Sequence, residues 1–301
     1  MIESVGIKAK TIENLKKLKY IIIDPDTNLV TWDYEESGYV YDGEKEHQAV
    51  ISKAQSGSLY CFDDKFFVYE LPHRLFRIGK KYTIMTYLFH GNFMEAYFNS
   101  HSIQYSIKQI DSERARMIKA QARELITFVP ITNKMKGIWD KFNRSKPLSK
   151  KFITDRMTPK DRKSFRNGIR NIIYRREKHN PEKVMITSFK DFMDKECRKK
   201  SKINIMPRSM DECFVPMNAR GSNQWGKRDF VIHMADIYPE PALNKYLKKR
   251  SNGSFNPDIY ALSMLIQYVY RSAIRNNEPI KLMICSDRME KLFRDWLDKP
   301  E

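Results

Sequence analysis

Residues 258–285 read DIYALSMLIQYVYRSAIRNNEPIKLMIC, a long helical pattern followed at once by a short apolar run. Apolar side chains between Ile259 and Tyr270 recur at helical spacing, which predicts an amphipathic helix over 258–276 with one buried face. The run Ile280–Cys285 then predicts a buried strand. This succession of helix and strand is typical of a parallel sheet with crossover helices.

The alternation of strand and helix patterns begins near Lys81 and continues to the C-terminus. The predicted strands before the last one are Thr83–Phe89, Ile103–Ile107, Leu125–Val129, Val184–Thr187, Cys213–Pro216 and Phe230–Met234. Thr158 followed by Pro159 predicts the start of a basic helix, because threonine caps helices and proline suits their first position. We therefore expect an α/β fold in which helices flank a parallel sheet.

The residues before Lys81 have a different pattern. Aromatic and β-branched residues alternate with polar ones over 28–70, which predicts an antiparallel β region. The run Tyr20–Ile23 ends at Asp24-Pro25-Asp26, as a strand does at a hairpin turn. We expect two domains, one over residues 1–120 with the β-hairpin region and one over residues 121–301 with the parallel sheet.

The charge of the chain favours a polyanionic partner. The 301 residues include 55 lysines and arginines against 37 acidic residues, a net charge of +18, and 41% are hydrophobic, enough for a sizeable core. Nucleic acid is the leading partner on charge alone. The other interpretation is a generally basic protein without such a partner.

The composition argues against a metal site and a membrane anchor. The four cysteines lie far apart without a Cys-x-x-Cys pair, and no two histidines share a helical face beside a carboxylate. No apolar run approaches the roughly 18 residues of a membrane span, and the N-terminus has no targeting pattern. We expect a cytoplasmic protein with no metal and no membrane contact.

Three side chains near the end of the long helical pattern suit phosphate binding. Gln267, Arg271 and Arg275 are four residues apart, so a continuous helix would present them on one side. Arginine keeps its charge, and its planar fork matches phosphoryl oxygens, as in the arginine fingers of nucleotide sites. The alternative is an exposed basic helix edge.

At these residues the sequence resembles the C-terminal RecA-like lobe of superfamily-two helicases, particularly the DEAD/DEAH-like helicases of bacteriophages. The run 267–275 is similar to their sixth motif, Gln-x-x-Gly-Arg-x-x-Arg. Gln267 and Arg271 match its spacing, Tyr270 stands where the family often has glycine, and Arg275 comes one place late. The resemblance implies catalytic roles for Gln267, Arg271 and Arg275.

Other segments follow the order of the helicase motifs. Thr83–Asn92 resembles the third motif, Leu125–Lys134 the fourth and Ala219–Asn223 the fifth. The third motif couples hydrolysis to lobe movement, which implies that role for Thr86, His90 and Gly91. The resemblance further implies cofactor contacts by Arg220, Gly221 and Asn223 and nucleic-acid contacts by Thr132, Lys134, Thr187 and Ser188.

The sequence lacks the residues with which the helicases that it resembles hold ATP. No Gly-x-x-x-x-Gly-Lys-Ser/Thr loop is present, and Pro25 stands where the family's acidic motif has glutamate. The resemblance therefore implies that ATP and Mg²⁺ bind only jointly with a second polypeptide, which carries the phosphate loop and the acidic motif, as in a split gene. Residues 1–120 would complete the first lobe, and the host cytoplasm would be the location of a phage-encoded protein.

The basic residues between Lys134 and Lys202 predict contacts with nucleic-acid phosphates. Arg162 and Arg166 belong to this cluster, and Trp225 is the loop aromatic that suits base stacking, although burial is the usual fate of such a ring. Two other functions stay open. The first is a non-catalytic nucleic-acid-binding accessory protein of replication, and the second is a nuclease that would need metal-binding carboxylates among Asp24, Asp26, Asp63 and Asp64.

Overall fold

The computed structural model describes residues 2–33, 45–79, 81–108, 111–142, 146–219 and 223–299. The strands are β1 (Ile2–Val5), β2 (Ile21–Ile23), β3 (Val30–Trp32), β4 (Leu59–Phe62), β5 (Phe66–Glu70), β6 (Ile126–Phe128), β7 (Val184–Thr187), β8 (Phe230–His233) and β9 (Ile280–Ile284). The helices are α1 (Ala9–Lys17), α2 (Lys45–Gln55), α3 (Leu75–Ile78), α4 (Phe93–Ser100), α5 (Ser112–Leu125), α6 (Asn133–Asp140), α7 (Lys150–Asp155), α8 (Pro159–Asn171), α9 (Lys190–Met193), α10 (Lys195–Ser201), α11 (Pro241–Arg250), α12 (Pro257–Val269) and α13 (Asp287–Asp298).

The chain divides into two compact units. The first consists of residues 1–106 and 239–260, and the second of residues 107–238 and 261–301. The segment that contains α11 therefore belongs with the N-terminal residues, which no local sequence pattern indicated. The predicted boundary after residue 120 lies inside α5.

The second unit contains a parallel sheet in the order β6-β9-β8-β7. All three neighbouring pairs are parallel, with Thr187 opposite His233 and His233 opposite Ile284. Beyond β7, Phe214 forms a parallel bridge with Ile186, so the predicted strand at 213–216 is present only as a single bridge. The predicted α/β fold, with a parallel sheet flanked by helices and an antiparallel region before it, is confirmed.

Helices cover both faces of the parallel sheet. Trp139 of α6, Phe152 of α7 and Phe165 of α8 share one buried cluster with the strand residues Ile186 and Ile232. Successive strand residues point to opposite faces, so His233 lies on the other face. There its ring contacts Tyr268 of α12, while Phe293 of α13 contacts Phe128.

The first unit is built on antiparallel strands. Its three-stranded sheet has the order β1-β5-β4, and β2 pairs with β3 as a hairpin. The Asp24 carboxylate accepts hydrogen bonds from the Thr27 backbone N–H at 2.7 Å and from the Thr27 hydroxyl at 2.8 Å, which fixes the turn between them. The predicted hairpin turn is confirmed, and residues 34–44 of the predicted β region lie outside the described residues.

Two predicted strands of the first unit are wrong. Residues 83–89 and 103–107 form no strand, and Met85 is 95% exposed. Both are short apolar runs, but a strand is stable only when another strand supplies its hydrogen bonds. Thr86, a predicted coupling residue in the first of these segments, therefore does not lie on a strand.

The predicted helix 258–276 is also shortened. Helix α12 ends at Val269, and a separate 3₁₀ turn spans Ala273–Asn276. The Ser272 hydroxyl donates to the Val269 carbonyl at 2.6 Å, and the Ala273 N–H bonds the Arg228 carbonyl at 2.8 Å. A side chain that bonds the last helical carbonyl favours the end of the helix. Here the backbone N–H of Ala273 also bonds a residue outside the helix.

Candidate nucleic-acid interface

An open groove of about 640 Å³ lies in the second unit between the start of α6 and the end of α8. Its polar and charged lining consists of Thr132, Lys134, Ser164, Asn167, Asn171, Arg175 and Arg176, and the remainder is Met135, Gly168 and Ile172. None of these lining residues is acidic. A groove with this lining suits an anion that also accepts hydrogen bonds.

The N-terminus of α6 forms one end of the groove. Thr132 caps this helix, because its hydroxyl accepts the Met135 N–H at 3.3 Å. The first turn contains no acidic residue, so no carboxylate of the helix competes for its free N–H groups. The partial positive charge at a helix start attracts phosphate oxygens.

A π-helical turn over Ile172–Arg176 forms the other end. The Glu177 N–H reaches back to the Ile172 carbonyl at 2.8 Å, and Arg176 donates to the Pro130 carbonyl at 2.7 Å. These bonds hold the turn against the segment that follows β6. Such π turns frequently occur at functional sites.

Glu177, the acid that directly follows the π-helical turn, is already neutralised by two cations. Its carboxylate accepts from Lys281 at 2.8 Å and from Arg176 at 3.0 Å, and the hydrogen bond from Lys281 is the largest cause of its lowered pKa. Lys134 and Arg175 are exposed and form no ion pair with any described residue. Two cations of the groove therefore remain available to a ligand.

The chain over α8 and the π-helical turn is strongly basic, and two of its basic residues, Arg175 and Arg176, line the groove. Residues 159–176 contain seven basic residues and one acid, Asp161. Asp161 closes a capping box with Thr158 and bonds Lys141 at 3.0 Å, so its charge is used locally. Gly168 permits the close approach of α8 to α6, since a Cβ there would lie 2.7 Å from the Met135 sulfur.

Sequence reasoning identified part of this groove and missed the rest. Thr132 and Lys134 were predicted to contact nucleic acid, and the structure brings them together with Arg175 and Arg176. The missed residues are Ser164, Asn167 and Asn171, which with Arg175 recur three, four and four residues apart. Residues with that spacing form a polar stripe on one face of a helix, so the sequence contained the signal that could have identified them.

Other predicted nucleic-acid contacts lie elsewhere. Thr187 and Ser188 are 0% and 1% exposed, so that prediction is wrong: they end a strand covered by helices, and the Ser188 hydroxyl bonds the Met234 carbonyl. Arg162 is half-buried and donates to the Ile153 carbonyl at 3.2 Å. Arg166 and Trp225 are half-buried and do not line the groove.

The predicted catalytic residues do not form one helical face. Gln267 is exposed on α12, whereas Arg271 and Arg275 follow the end of that helix. Arg271 donates to the Met217 carbonyl at 2.9 Å, and Arg275 to the Asn223 side chain at 2.6 Å. The prediction of a shared helix face is wrong because α12 ends at Val269, but the two arginines do contact Met217 and Asn223, which precede β8 in the chain.

This arginine cluster lies at the amino-terminal edge of the parallel sheet. Met217 and Asn223 precede β8, and Arg271 and Arg275 precede β9. Ligands of open α/β sheets usually bind at the carboxyl-terminal edge. Arg220 and Gly221, the other predicted cofactor residues, lie outside the described residues.

At the carboxyl-terminal edge, side chains and a loop fill the space beyond β8. Asp236 is 2% exposed and bonds Arg288 at 2.7 Å, and its N–H bonds the Leu148 carbonyl at 2.9 Å. Burial raises the pKa of Asp236, and its bond to Arg288 opposes that shift. These contacts stabilise the edge and make the groove beside β6 the better candidate.

The three predicted coupling residues belong to the start of α4. Glu95 accepts the Gly91 N–H at 2.7 Å and pairs with His90 at 2.8 Å, and Gly91 adopts a positive φ of 79°. Thr86 is exposed in a segment without regular structure. His90 and Gly91 thus form a turn that leads into a helix, which explains their local contacts.

Two features are absent from the described part of the chain. No group of three or more His, Cys, Asp or Glu residues there has the geometry of a metal site. Among the same residues, no helix is both long and apolar enough to cross a bilayer.

Comparison with known proteins gives one family and one curated relative. The family described as the YonV C-terminal Rossmann-like domain matches residues 120–297. The SPbeta prophage-derived uncharacterized protein YonV of Bacillus subtilis (strain 168) is 26% identical over 310 residues, covering 96% of this chain and 72% of the relative. No solved structure matches. Since the family match spans more than half of the chain, the protein belongs to the YonV C-terminal Rossmann-like domain family.

Proposed function

We propose that this protein binds nucleic acid through the groove between α6 and α8, as a non-catalytic accessory protein. The observation that supports this most is the lining of the groove, which has a capped helix start, no carboxylate, and two cations, Lys134 and Arg175, that form no ion pair with a described residue. Phosphates of a nucleic-acid backbone match all three features. The net charge of +18 adds a long-range attraction.

The similarity to a prophage-derived protein supports a role in phage biology. We propose that the nucleic acid is DNA and that the protein acts during phage replication or recombination. Phosphate contacts alone carry little sequence information, so binding depends on backbone charge more than on base order.

The proposal is tested by oligonucleotide binding to variants of the two unpaired cations. The double variant Lys134→Gln/Arg175→Gln is expected to bind at least about tenfold more weakly than the unchanged protein, about 1.4 kcal/mol. Lys195→Gln is the control, because Lys195 is an exposed lysine of the same unit outside the groove. Equal affinities of the double variant and the unchanged protein would refute the assignment of the groove.

A second candidate is the helicase lobe. The hydrogen bond from Arg275 to Asn223 supports it, because these residues come from segments that resemble the sixth and fifth helicase motifs. In this case ATP and Mg²⁺ bind jointly with a separate polypeptide. Arg271→Gln and Arg275→Gln would then keep nucleic-acid binding and lose the ATP hydrolysis of the assembled pair. If the protein is instead a non-catalytic accessory protein, no added polypeptide should produce ATP hydrolysis that depends on Arg271 and Arg275.

A further inference from the structure

The first unit contains a cavity of about 170 Å³ that the nucleic-acid groove does not involve. Tyr60 of β4 and Tyr246 and Arg250 of α11 form part of its wall, and Asp63, Asp64 and Lys249 also line it. The volume is several times the ~30 Å³ share of one water molecule. A small ligand therefore fits, whereas a strand of nucleic acid does not.

Arg250 is the unusual residue of this wall. Its guanidinium lies 5.4 Å from the centre of the Tyr60 ring and 5.9 Å from that of Tyr246. Its Nε atom is buried without a hydrogen-bond partner, and no described residue pairs with its charge. A half-buried guanidinium has five N–H donors, and leaving a buried donor without an acceptor costs about 1–3 kcal/mol. The arrangement favours an acceptor supplied from outside the chain.

The two tyrosines supply further donors. Tyr246 is 2% exposed, and its hydroxyl faces the Glu70 carboxylate, although no acceptor among the described residues lies within direct hydrogen-bond geometry of it. Burial and then the charge of Glu70 raise the pKa of Tyr246, and burial followed by Glu70 also raises the pKa of Tyr60. Both hydroxyls therefore keep their protons at neutral pH. Glu70 itself is held by His101 at 2.5 Å.

The acids of the wall do not neutralise Arg250. Asp64 pairs with Lys16 at 2.8 Å, and Asp63 lies 3.8 Å from Lys249. Cys61, which also lines the cavity, is 2% exposed, and burial raises the pKa of its thiol to about 11. The thiol stays protonated and is a poor nucleophile, so the wall supports binding rather than covalent chemistry.

We propose that this cavity binds a phosphoryl group, with Arg250 as its main ligand and the Tyr60 and Tyr246 hydroxyls as additional donors. A phosphoryl group offers several acceptor oxygens, which match the planar fork of arginine together with hydroxyl donors. The inference does not depend on the proposed nucleic-acid function, because every residue that carries it belongs to the first unit.

The test compares thermal stability in sodium phosphate with stability in sodium chloride at equal ionic strength and pH. Binding to the native state stabilises it, so phosphate at 100 times its Kd should add about 2.7 kcal/mol to the free energy of unfolding. Arg250→Met is expected to lose this phosphate-specific increase without losing stability in chloride, because it removes an unpaired charge. Arg250→Lys is expected to lose most of it, because the fork is absent.

Controls separate binding from general effects of the anion. Lys248 lies on the same helix as Arg250 but outside the cavity, so Lys248→Met should keep the full increase in stability. Phosphate also stabilises proteins non-specifically, and the response of Lys248→Met includes that contribution. Tyr60→Phe removes one donor and should weaken phosphate binding measured by calorimetry, even if Arg250→Met folds poorly. The proposal is overturned if Arg250→Met and Lys248→Met respond equally to phosphate, or if Arg250→Met loses the same stability in both buffers.

Two further arms identify the source of the phosphoryl group. AMP is compared with adenosine, and a 5′-phosphorylated oligonucleotide with its 5′-hydroxyl counterpart, each against the Arg250→Lys variant. A response to AMP alone indicates a small phosphorylated molecule, and a response to the phosphorylated oligonucleotide indicates a strand end. A response to neither, together with no effect of inorganic phosphate, would eliminate the site.

Discussion

His233 shows how a single buried side chain sets the pH range of stability. It is 0% exposed at the end of β8, and neither ring nitrogen has a hydrogen-bond partner among the described residues. Burial lowers the pKa of His233 to about 3, because the charged imidazolium cannot be solvated there. The native state therefore holds this ring neutral, whereas the unfolded chain binds a proton near pH 6.5.

We predict that acidification destabilises the protein through His233. Stability is complete above the unfolded pKa of about 6.5 and falls by up to about 1.4 kcal/mol per pH unit as the pH decreases toward 3. Urea unfolding at pH 7, 6 and 5 measures the loss. The free energy of unfolding of His233→Leu should depend less steeply on pH by this amount, because leucine does not titrate and is apolar.

The matched comparison is His90, a histidine whose side chain is 67% exposed. His90→Leu should leave the dependence on pH close to that of the unchanged protein. Parallel curves for His233→Leu and the unchanged protein would contradict the assignment to the buried ring.

At the scale of the elements, α8 is the structure that forms the long wall of the groove. Its start combines a Thr158 cap, Pro159 at the first position and Asp161 as the reciprocal partner of the capping box. We predict that Thr158→Ala lowers the free energy of unfolding by about 1 kcal/mol, since the Asp161 N–H loses its acceptor. Thr154→Ala, on the exposed face of the neighbouring helix, serves as the control and should cost less. Chemical denaturation of both variants measures the difference.

The sequence predicted elements whose signals are local. The bounds Val184–Thr187 were identified without error, and Thr158 with Pro159 predicted the start of α8, because apolar runs and capping residues act over a few positions. Thr83–Phe89 was predicted wrongly, since an apolar run does not reveal whether a partner strand exists. The end of α12 at Val269 depends on a residue distant in sequence, because the Ala273 N–H bonds the Arg228 carbonyl.

The candidate site was predictable to a similar degree. Thr132 and Lys134 were identified from a segment near the end of a strand, and they do line the groove. Thr187 and Ser188 follow the same kind of pattern but are buried, because Met234 after β8 bonds both residues and Phe214 bridges β7 on its other side. Sequence pattern alone does not reveal these distant contacts.

At the scale of the whole molecule, the absence of a phosphate-loop sequence has a direct consequence for ATP. We predict that the purified chain neither binds ATP tightly nor hydrolyses it, with or without nucleic acid, because backbone amides and a lysine that cradle the phosphates are missing from the sequence. Release of inorganic phosphate from ATP measures turnover. A robust rate that persists through repeated purification steps would contradict this prediction.

The central claim is that nucleic-acid phosphates occupy the groove between α6 and α8. The most direct measurement is the slope of log K against log salt concentration for oligonucleotide binding. Each lost phosphate contact should reduce its magnitude by about 1, so Lys134→Gln/Arg175→Gln should have a slope shallower by about 2. Lys195→Gln should keep the slope of the unchanged protein. A double variant whose slope equals that of the unchanged protein would show that phosphates bind elsewhere.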